Sequence, residues 1–490
     1  MLKSINRMLD AFEQKGIIYC HWKSNEHLAE ALTGGTDLDV LFLPEQRALL
    51  DATLSEGGLK RFRATPLMQY EAIEDYIGFD EEKAMIWHLH THYRMTLGEK
   101  HLKGYTVTPW GGYILNNRVF DPSGIYVSCP DVELVLLLSR LALKKRLRDW
   151  GRKVGSDDRI EYEWLIGRVD FSKVREHAVY MVGEKAADII CHLCKDGLRK
   201  KDQLNALTSV LRKELKCFTG YSGFGSRYAR TKREIHWLFG GVSRRMGLNP
   251  SKASRRVSPS GGSVVVFLGC DGAGKSTSLA YVKKEFNKKI DVKTCYLGSG
   301  DGSSSLLRKP MKLVAKRVGG KGLGHSVDKE YCEKKHVSLK SRLYSVAKII
   351  WAVTLAIEKK GKLRDITKAR TNGMLVLVDR YPQTLMSGFS DGPLLSRYLT
   401  HGGWLTKKIA RWEYGIYDDA QRNMPDLILK LMVPTEVAIA RKPEMTAEEI
   451  DNKKAAVRSM NFALRSVEID TDQEMAVSLS QIMKEIWQII

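Results

Sequence analysis

The segment Ser263–Leu279, SVVVFLGCDGAGKSTSL, limits what this chain can fold into more than any other stretch. Val264 to Leu268 form a short apolar, β-branched run suited to a central parallel strand. Gly269, Gly274, Lys275 and Ser276 follow in the spacing G-x-x-x-x-G-K-[ST]. A loop that turns its backbone N–H groups inward around a phosphate leaves no room for Cβ atoms at the turn, which is why glycines recur there. In that geometry Lys275 reaches the β- and γ-phosphates and the Ser276 hydroxyl holds Mg²⁺, while the helix opening at about Lys275 aims its positive end at the same phosphates. The residues expected to bind a nucleoside triphosphate are Gly269, Gly272, Gly274, Lys275, Ser276 and Thr277, with ATP and Mg²⁺ as cofactors.

From Gly261 onward strands alternate with helices, a pattern that predicts a parallel sheet wrapped by helices. Further strands are expected at Gly373–Asp379, Leu427–Val433 and Val467–Asp470. Ligands of such sheets gather at the carboxyl ends of the strands, where Gly269, Asp379 and Pro434 fall. Taken in order, GCDGAGKST, LVLVDRY, PDLILKLMVPTEVAIARK and VEIDT resemble the thymidylate kinase family of nucleoside monophosphate kinases over residues 261–490. The resemblance implies Mg²⁺ at Ser276 and Asp379, Arg380 near the phosphates of donor or acceptor, and Asp271 on the acceptor side. It also implies a mobile lid that supplies positive charge, because Gly272 and Ala273 leave the phosphate loop without an arginine. The lid candidates are Arg441, Lys442, Lys453, Lys454 and Arg458, with Arg441 first among them. The implied catalytic set is therefore Lys275, Asp379, Arg380, Asp271 and Arg441.

The acceptor side departs from that family. Its arginine-glutamate-proline-glycine segment is replaced by CYLGSGDGSSSLLRKPMKL, and a basic insertion spans residues 308–370. Thymidine monophosphate is too small to need such a surface, so it is not the expected acceptor. The chain also looks like the thymidylate-kinase-like proteins of bacterial surface-polysaccharide gene clusters, which implies a glycan or lipid-linked acceptor.

Toward the N-terminus, GIIYCHW and DLDVLFL read as strands, and Gly34-Gly35-Thr36 turns into the second of them. Asp37 and Asp39, two apart on an extended chain, share one face and are suited to clamping Mg²⁺ against a triphosphate. This stretch resembles the DNA polymerase β-like nucleotidyltransferase superfamily over roughly the first 110 residues, within a domain expected at residues 1–120. It departs from it in having Trp22-Lys23-Ser24 where a glycine turn is usual, and His88 and His90 where a third carboxylate is usual. His88, His90 and His92 alternate with other residues in MIWHLHTHYRM, so a strand there puts all three rings on one face.

Residues 121–216 read as a helical domain, and 217–260, rich in glycine and basic residues, as a linker. The fold class is thus α/β and multidomain: an α+β nucleotidyltransferase-like domain with a helical extension, then a parallel phosphate-loop domain at 261–490. The formal net charge of +22 implies anionic company. That is met by the nucleotide substrate and is compatible with an anionic membrane surface or, less well, with nucleic acid; a homodimer is also compatible. No export signal is visible and the eight cysteines lack a framework spacing, so a cytoplasmic protein, peripheral at the membrane if attached at all, is expected. The expected activity is ATP- and Mg²⁺-dependent phosphotransfer. The alternatives are nucleotide transfer by the N-terminal domain and a nucleic-acid-binding ATPase.

Overall fold

Ile5, Met8, Leu9 and Phe12 recur at helical spacing, and the helix Lys3–Gln14 accordingly buries that one stripe. It covers part of an eight-stranded mixed sheet in the computed structural model, which describes residues 1–99, 102–146, 154–198, 201–245, 252–298, 339–386 and 391–490. The strands are β1 (Tyr19–His21), β2 (Leu38–Phe42), β3 (Lys60–Ala64), β4 (Ile73–Asp80) and β5 (Met85–His92), then β8 (Arg118–Asp121), β9 (Ile125–Ser128) and β10 (Arg256–Val257); β6 (Met95–Leu97) and β7 (Tyr105–Val107) form a separate pair. The order across the sheet is β10-β3-β4-β5-β2-β1-β9-β8. The parallel pairing of β2 with β5 sets Asp39 opposite His90, and the antiparallel pairing of β4 with β5 sets Asp75 opposite His90 from the other side.

The helical extension packs around Pro130–Lys144, which begins with proline in its first turn and then buries an unbroken run from Val132 to Ser139. Phe171–Val182, Glu184–Asp196 and Lys201–Glu214 complete its apolar core. Within the stretch read as a linker, the chain forms the helix Gly223–Arg245 and then β10, which pairs with β3. The helix leaves Trp237, Leu238 and Phe239 exposed.

Two compact units result, Met1–Leu248 with Ser254–Pro259, and Asn249–Ala253 with Ser260–Ile490. In the second, the run at Val264 becomes β11 (Val264–Gly269), whose Val265, Val266 and Phe267 have no exposed surface because helices cover both faces of the sheet. Around it lie β12 (Val292–Tyr296), β13 (Leu375–Asp379), β14 (Leu427–Met432) and β15 (Arg465–Asp470), in the order β12-β13-β11-β14-β15, with every pair parallel. The helices include Lys275–Phe286, Leu339–Thr371, Trp404–Arg422, Thr435–Arg441, Ala447–Ser459 and Met475–Ile489. The replaced acceptor segment from Ser299 and the basic insertion as far as residue 338 lie outside the described residues. Among those described, no helix is long and apolar enough to cross a membrane.

Candidate functional site

β11 ends at Gly269, and the chain turns through Cys270–Gly274 into the helix Lys275–Phe286. Two of the glycines are required by position. A Cβ on Gly269 would stand 2.7 Å from the Leu431 carbonyl oxygen, and one on Gly272, at φ +88°, would meet the Ala438 carbonyl at 3.1 Å. The loop borders a cleft of about 990 Å³, lined by Gly274, Lys275, Ser276 and Thr277, by Asp379 and Arg380 at the end of β13, by Arg441 and Lys442, and by Thr471, Gln473 and Ser478. Lys275 is buried, and its ammonium donates to the carbonyls of Gly269 at 2.9 Å and Cys270 at 2.7 Å. Burial, together with the nearby Arg380 guanidinium, lowers its pKa, so a phosphate oxygen offered to it replaces backbone carbonyls as a better partner.

Asp379 faces the same cleft, and its Oδ1 is buried without a hydrogen-bond partner. Burial raises its pKa against the pull of Lys275. An orphaned carboxylate oxygen sharing a cleft with the Ser276 hydroxyl is the hard oxygen donor set that Mg²⁺ takes. Arg380, held at φ +65°, donates to Asp271 Oδ1 at 2.7 Å. Lys453, on the helix Ala447–Ser459, donates to the other Asp271 oxygen. Burial works to raise the pKa of this carboxyl, but Lys453 and Arg380 prevail and lower it to about 2. Arg441 lies against the loop, its Nη1 donating to the Gly272 carbonyl oxygen at 3.0 Å. The cleft thus brings together Asp271, Lys275, Ser276, Asp379, Arg380 and Arg441, drawn from three segments of the chain.

In the first unit, Asp37 lies 3.0 Å from Nδ1 of the buried His88, whose Nε2 lies 2.8 Å from Asp75 Oδ1. Arg256 of β10 donates to the same Asp75 oxygen at 2.7 Å. Burial would raise the Asp75 pKa, but His88 and Arg256 hold it below the ordinary carboxylate range. Asp39 Oδ1 has His90 Nδ1 at 2.9 Å, Lys23 Nζ at 3.1 Å and His92 Nε2 at 3.3 Å. Burial acts to raise the pKa of Asp39 too, yet Lys23 and the two rings hold it well below its ordinary value. Burial likewise lowers His90, and takes His92 down to about 3, so both imidazoles are neutral near pH 7. Asp37 and Asp39 therefore sit among imidazoles and cations, and the neighbouring carboxylate, Asp75, has its Oδ1 engaged by both His88 and Arg256.

Two bacterial relatives match part of this chain. The uncharacterized ATP-binding protein YghR of Escherichia coli is 26% identical over 229 residues, which is 46% of this chain and 86% of that one. The uncharacterized ATP-binding protein YghS of the same organism is 26% identical over 203 residues, 41% of this chain and 81% of its own. No protein-family model matches. Among solved structures, a thymidylate kinase from Candida albicans aligns with a TM-score of 0.26 at 15% identity, covering 47% of this chain and 91% of its own, a likeness too low to argue from.

Asp75, Arg256 and the cleft residues Gln473 and Ser478 do not emerge from reading the sequence for motifs, whereas Thr471 closes the VEIDT motif. Asp75 carries a usable signal, since IEDYIGFD alternates as a strand and places it on the face of Ile73 and Ile77. Arg256 carries none, because its role depends on a two-residue strand pairing with β3 from far along the chain.

Proposed function

We propose that the second unit is a Mg²⁺-dependent phosphotransferase that moves the γ-phosphoryl group of ATP to a hydroxyl or phosphate acceptor. The observation that carries this reading is the glycine loop that presents Lys275 and Ser276 to the same cleft as Asp379, whose Oδ1 is buried and unpartnered. The relatives named as ATP-binding proteins support the choice of nucleotide. When bound, Mg²⁺ offsets charge on the phosphates, with Ser276 and Asp379 as the residues that would hold it. Lys275 binds the β- and γ-phosphates, and Arg380 stands over the transferred group while also holding Asp271 toward the acceptor side. Arg441 closes over the loop and, with the segment that carries it, excludes water. The proposed acceptor is a glycan or lipid-linked molecule rather than thymidine monophosphate, a choice that rests on the altered acceptor segment and the polysaccharide-cluster resemblance.

The test uses ATP labelled separately at the γ- and α-phosphates, with Mg²⁺ and a panel of nucleoside monophosphates, glycans, lipid-linked glycans and nucleic acid. Label is expected to leave from the γ-position alone, and transfer is expected to vanish in Lys275→Ala. Transfer from the α-position would instead make the first unit, with Asp37 and Asp39, the active half. Release of γ-phosphate only in the presence of nucleic acid, with no labelled acceptor, would favour the nucleic-acid-binding ATPase.

A further inference from the structure

We infer that Asp39, His90 and His92 form a binding site for one late first-row transition-metal ion, Zn²⁺ or its spectroscopic surrogate Co²⁺, rather than for a pair of Mg²⁺ ions. The inference stands on the first unit alone and does not depend on the phosphotransferase reading.

The sheet builds the site. β2 and β5 run parallel with Asp39 opposite His90, and His92 lies two residues further along the same face. Asp39, His90 and His92 each offer one ligand atom within 4.8 Å of the other two. The carboxylate oxygen is 2.9 Å from one ring nitrogen and 3.3 Å from the other. Metal bonds of about 2.1 Å at a tetrahedral angle would separate their donor atoms by about 3.4 Å, so the ligands need only a small adjustment to admit an ion.

Donor chemistry then selects the metal. Magnesium takes oxygen ligands and keeps several waters, and it gains little from two imidazoles. Two imidazoles with one carboxylate suit zinc, cobalt and their neighbours, and leave a coordination position open for water or substrate. Of the further carboxylates on this sheet face, Asp75 has its Oδ1 engaged by His88 and Arg256 and Asp37 lies against His88, and neither removes the two imidazoles that disfavour magnesium.

His92 is fixed by the core around it. Its side chain is 1% exposed, and its Nδ1 is buried with no hydrogen-bond partner. The ring is packed edge-on against Trp22, with centroids 5.2 Å apart, and its other nitrogen points at Asp39. The Trp22 contact holds the ring with Nε2 toward Asp39, while Nδ1, which carries the proton when Nε2 ligates, has no acceptor among the described residues, a cost that the metal bond must offset. Lys23 Nζ, 3.1 Å from Asp39 Oδ1 on a partly exposed stem, competes with the ion for the same oxygen.

The test strips the full-length, nucleotide-free protein with a chelator and titrates it with Co²⁺, followed by visible d–d absorption and by metal analysis after dialysis. One Co²⁺ per chain with a ligand-field spectrum is expected, displaceable by Zn²⁺ and not by Mg²⁺. His90→Ala and Asp39→Asn should each weaken binding by at least the roughly 10–100-fold that loss of an outer-shell partner costs. His90 is partly exposed, so its variant is expected to fold, and circular dichroism checks that it does. Lys275→Ala should bind Co²⁺ as the wild type does, separating this site from the nucleotide cleft. The proposal is overturned if wild type shows no stoichiometric Co²⁺, or if binding survives in folded His90→Ala. It is also overturned if only Lys23→Ala binds, for then the lysine ammonium is the resident cation of Asp39.

Discussion

At the scale of single residues, Asp271 shows how the nucleotide cleft is held together before any ligand arrives. Its carboxyl is shared by Arg380 and Lys453, which lower its pKa to about 2 despite burial, so it remains ionised at any pH at which the fold is used. Arg441 makes a different kind of contact, donating from an exposed position to the Gly272 carbonyl oxygen. A cation that contacts only the rim of the loop adds little to the fold and most to the charge that develops during transfer. Arg441→Ala is therefore expected to lower kcat by about 100-fold, with thermal stability unchanged to within about 0.5 kcal/mol. Steady-state kinetics and thermal melts check this. An unchanged kcat would move the role to Lys453.

At the scale of elements, the helix Pro130–Lys144 carries an unusual burden. Glu133, in its first turn, is buried and accepts from Asn25 through the backbone N–H at 3.0 Å and the side-chain amide at 2.6 Å. Burial outweighs those bonds and raises its pKa from 4.5 to about 7. The folded chain then binds a proton at Glu133 that the unfolded chain has lost at any pH between those values, so the contribution of this group to stability falls as pH rises across that window. His21, His90 and His92, whose pKa values burial lowers, contribute in the opposite sense, so the effect of Glu133 is read as a difference: between about pH 4.5 and 7 the wild type should lose on the order of 2–3 kcal/mol relative to Glu133→Gln in urea unfolding. The same slope in wild type and variant would contradict the assignment. The same scale shows which parts of the fold can be read from sequence. β11, β13 and β14 are legible because strands buried on both faces need continuous apolar runs. β12 is not, since Val292-Lys293-Thr294-Cys295-Tyr296 lies at the sheet edge and has no such run. β10 and the helix Gly223–Arg245 hide in glycine-rich, basic sequence that reads as a connector, because tertiary pairing outweighs composition there.

At the scale of the whole molecule, the chain holds two units, each with its own sheet and its own converging polar cluster. Local spacing reveals the glycine loop and the Asp37–Asp39 pair, whereas the partners that tune them come from distant segments. Lys453 reaches Asp271 across 182 positions of sequence, and Arg256 reaches Asp75 across 181. The central claim is that the cleft bordered by Gly269–Thr277 is the nucleotide site of the full chain. Isothermal titration of ATP with Mg²⁺ into the full-length protein, Lys275→Ala and Asp39→Asn tests it most directly. One site per chain is predicted for the wild type, kept in Asp39→Asn and lost in Lys275→Ala. Undiminished binding in Lys275→Ala would contradict the account.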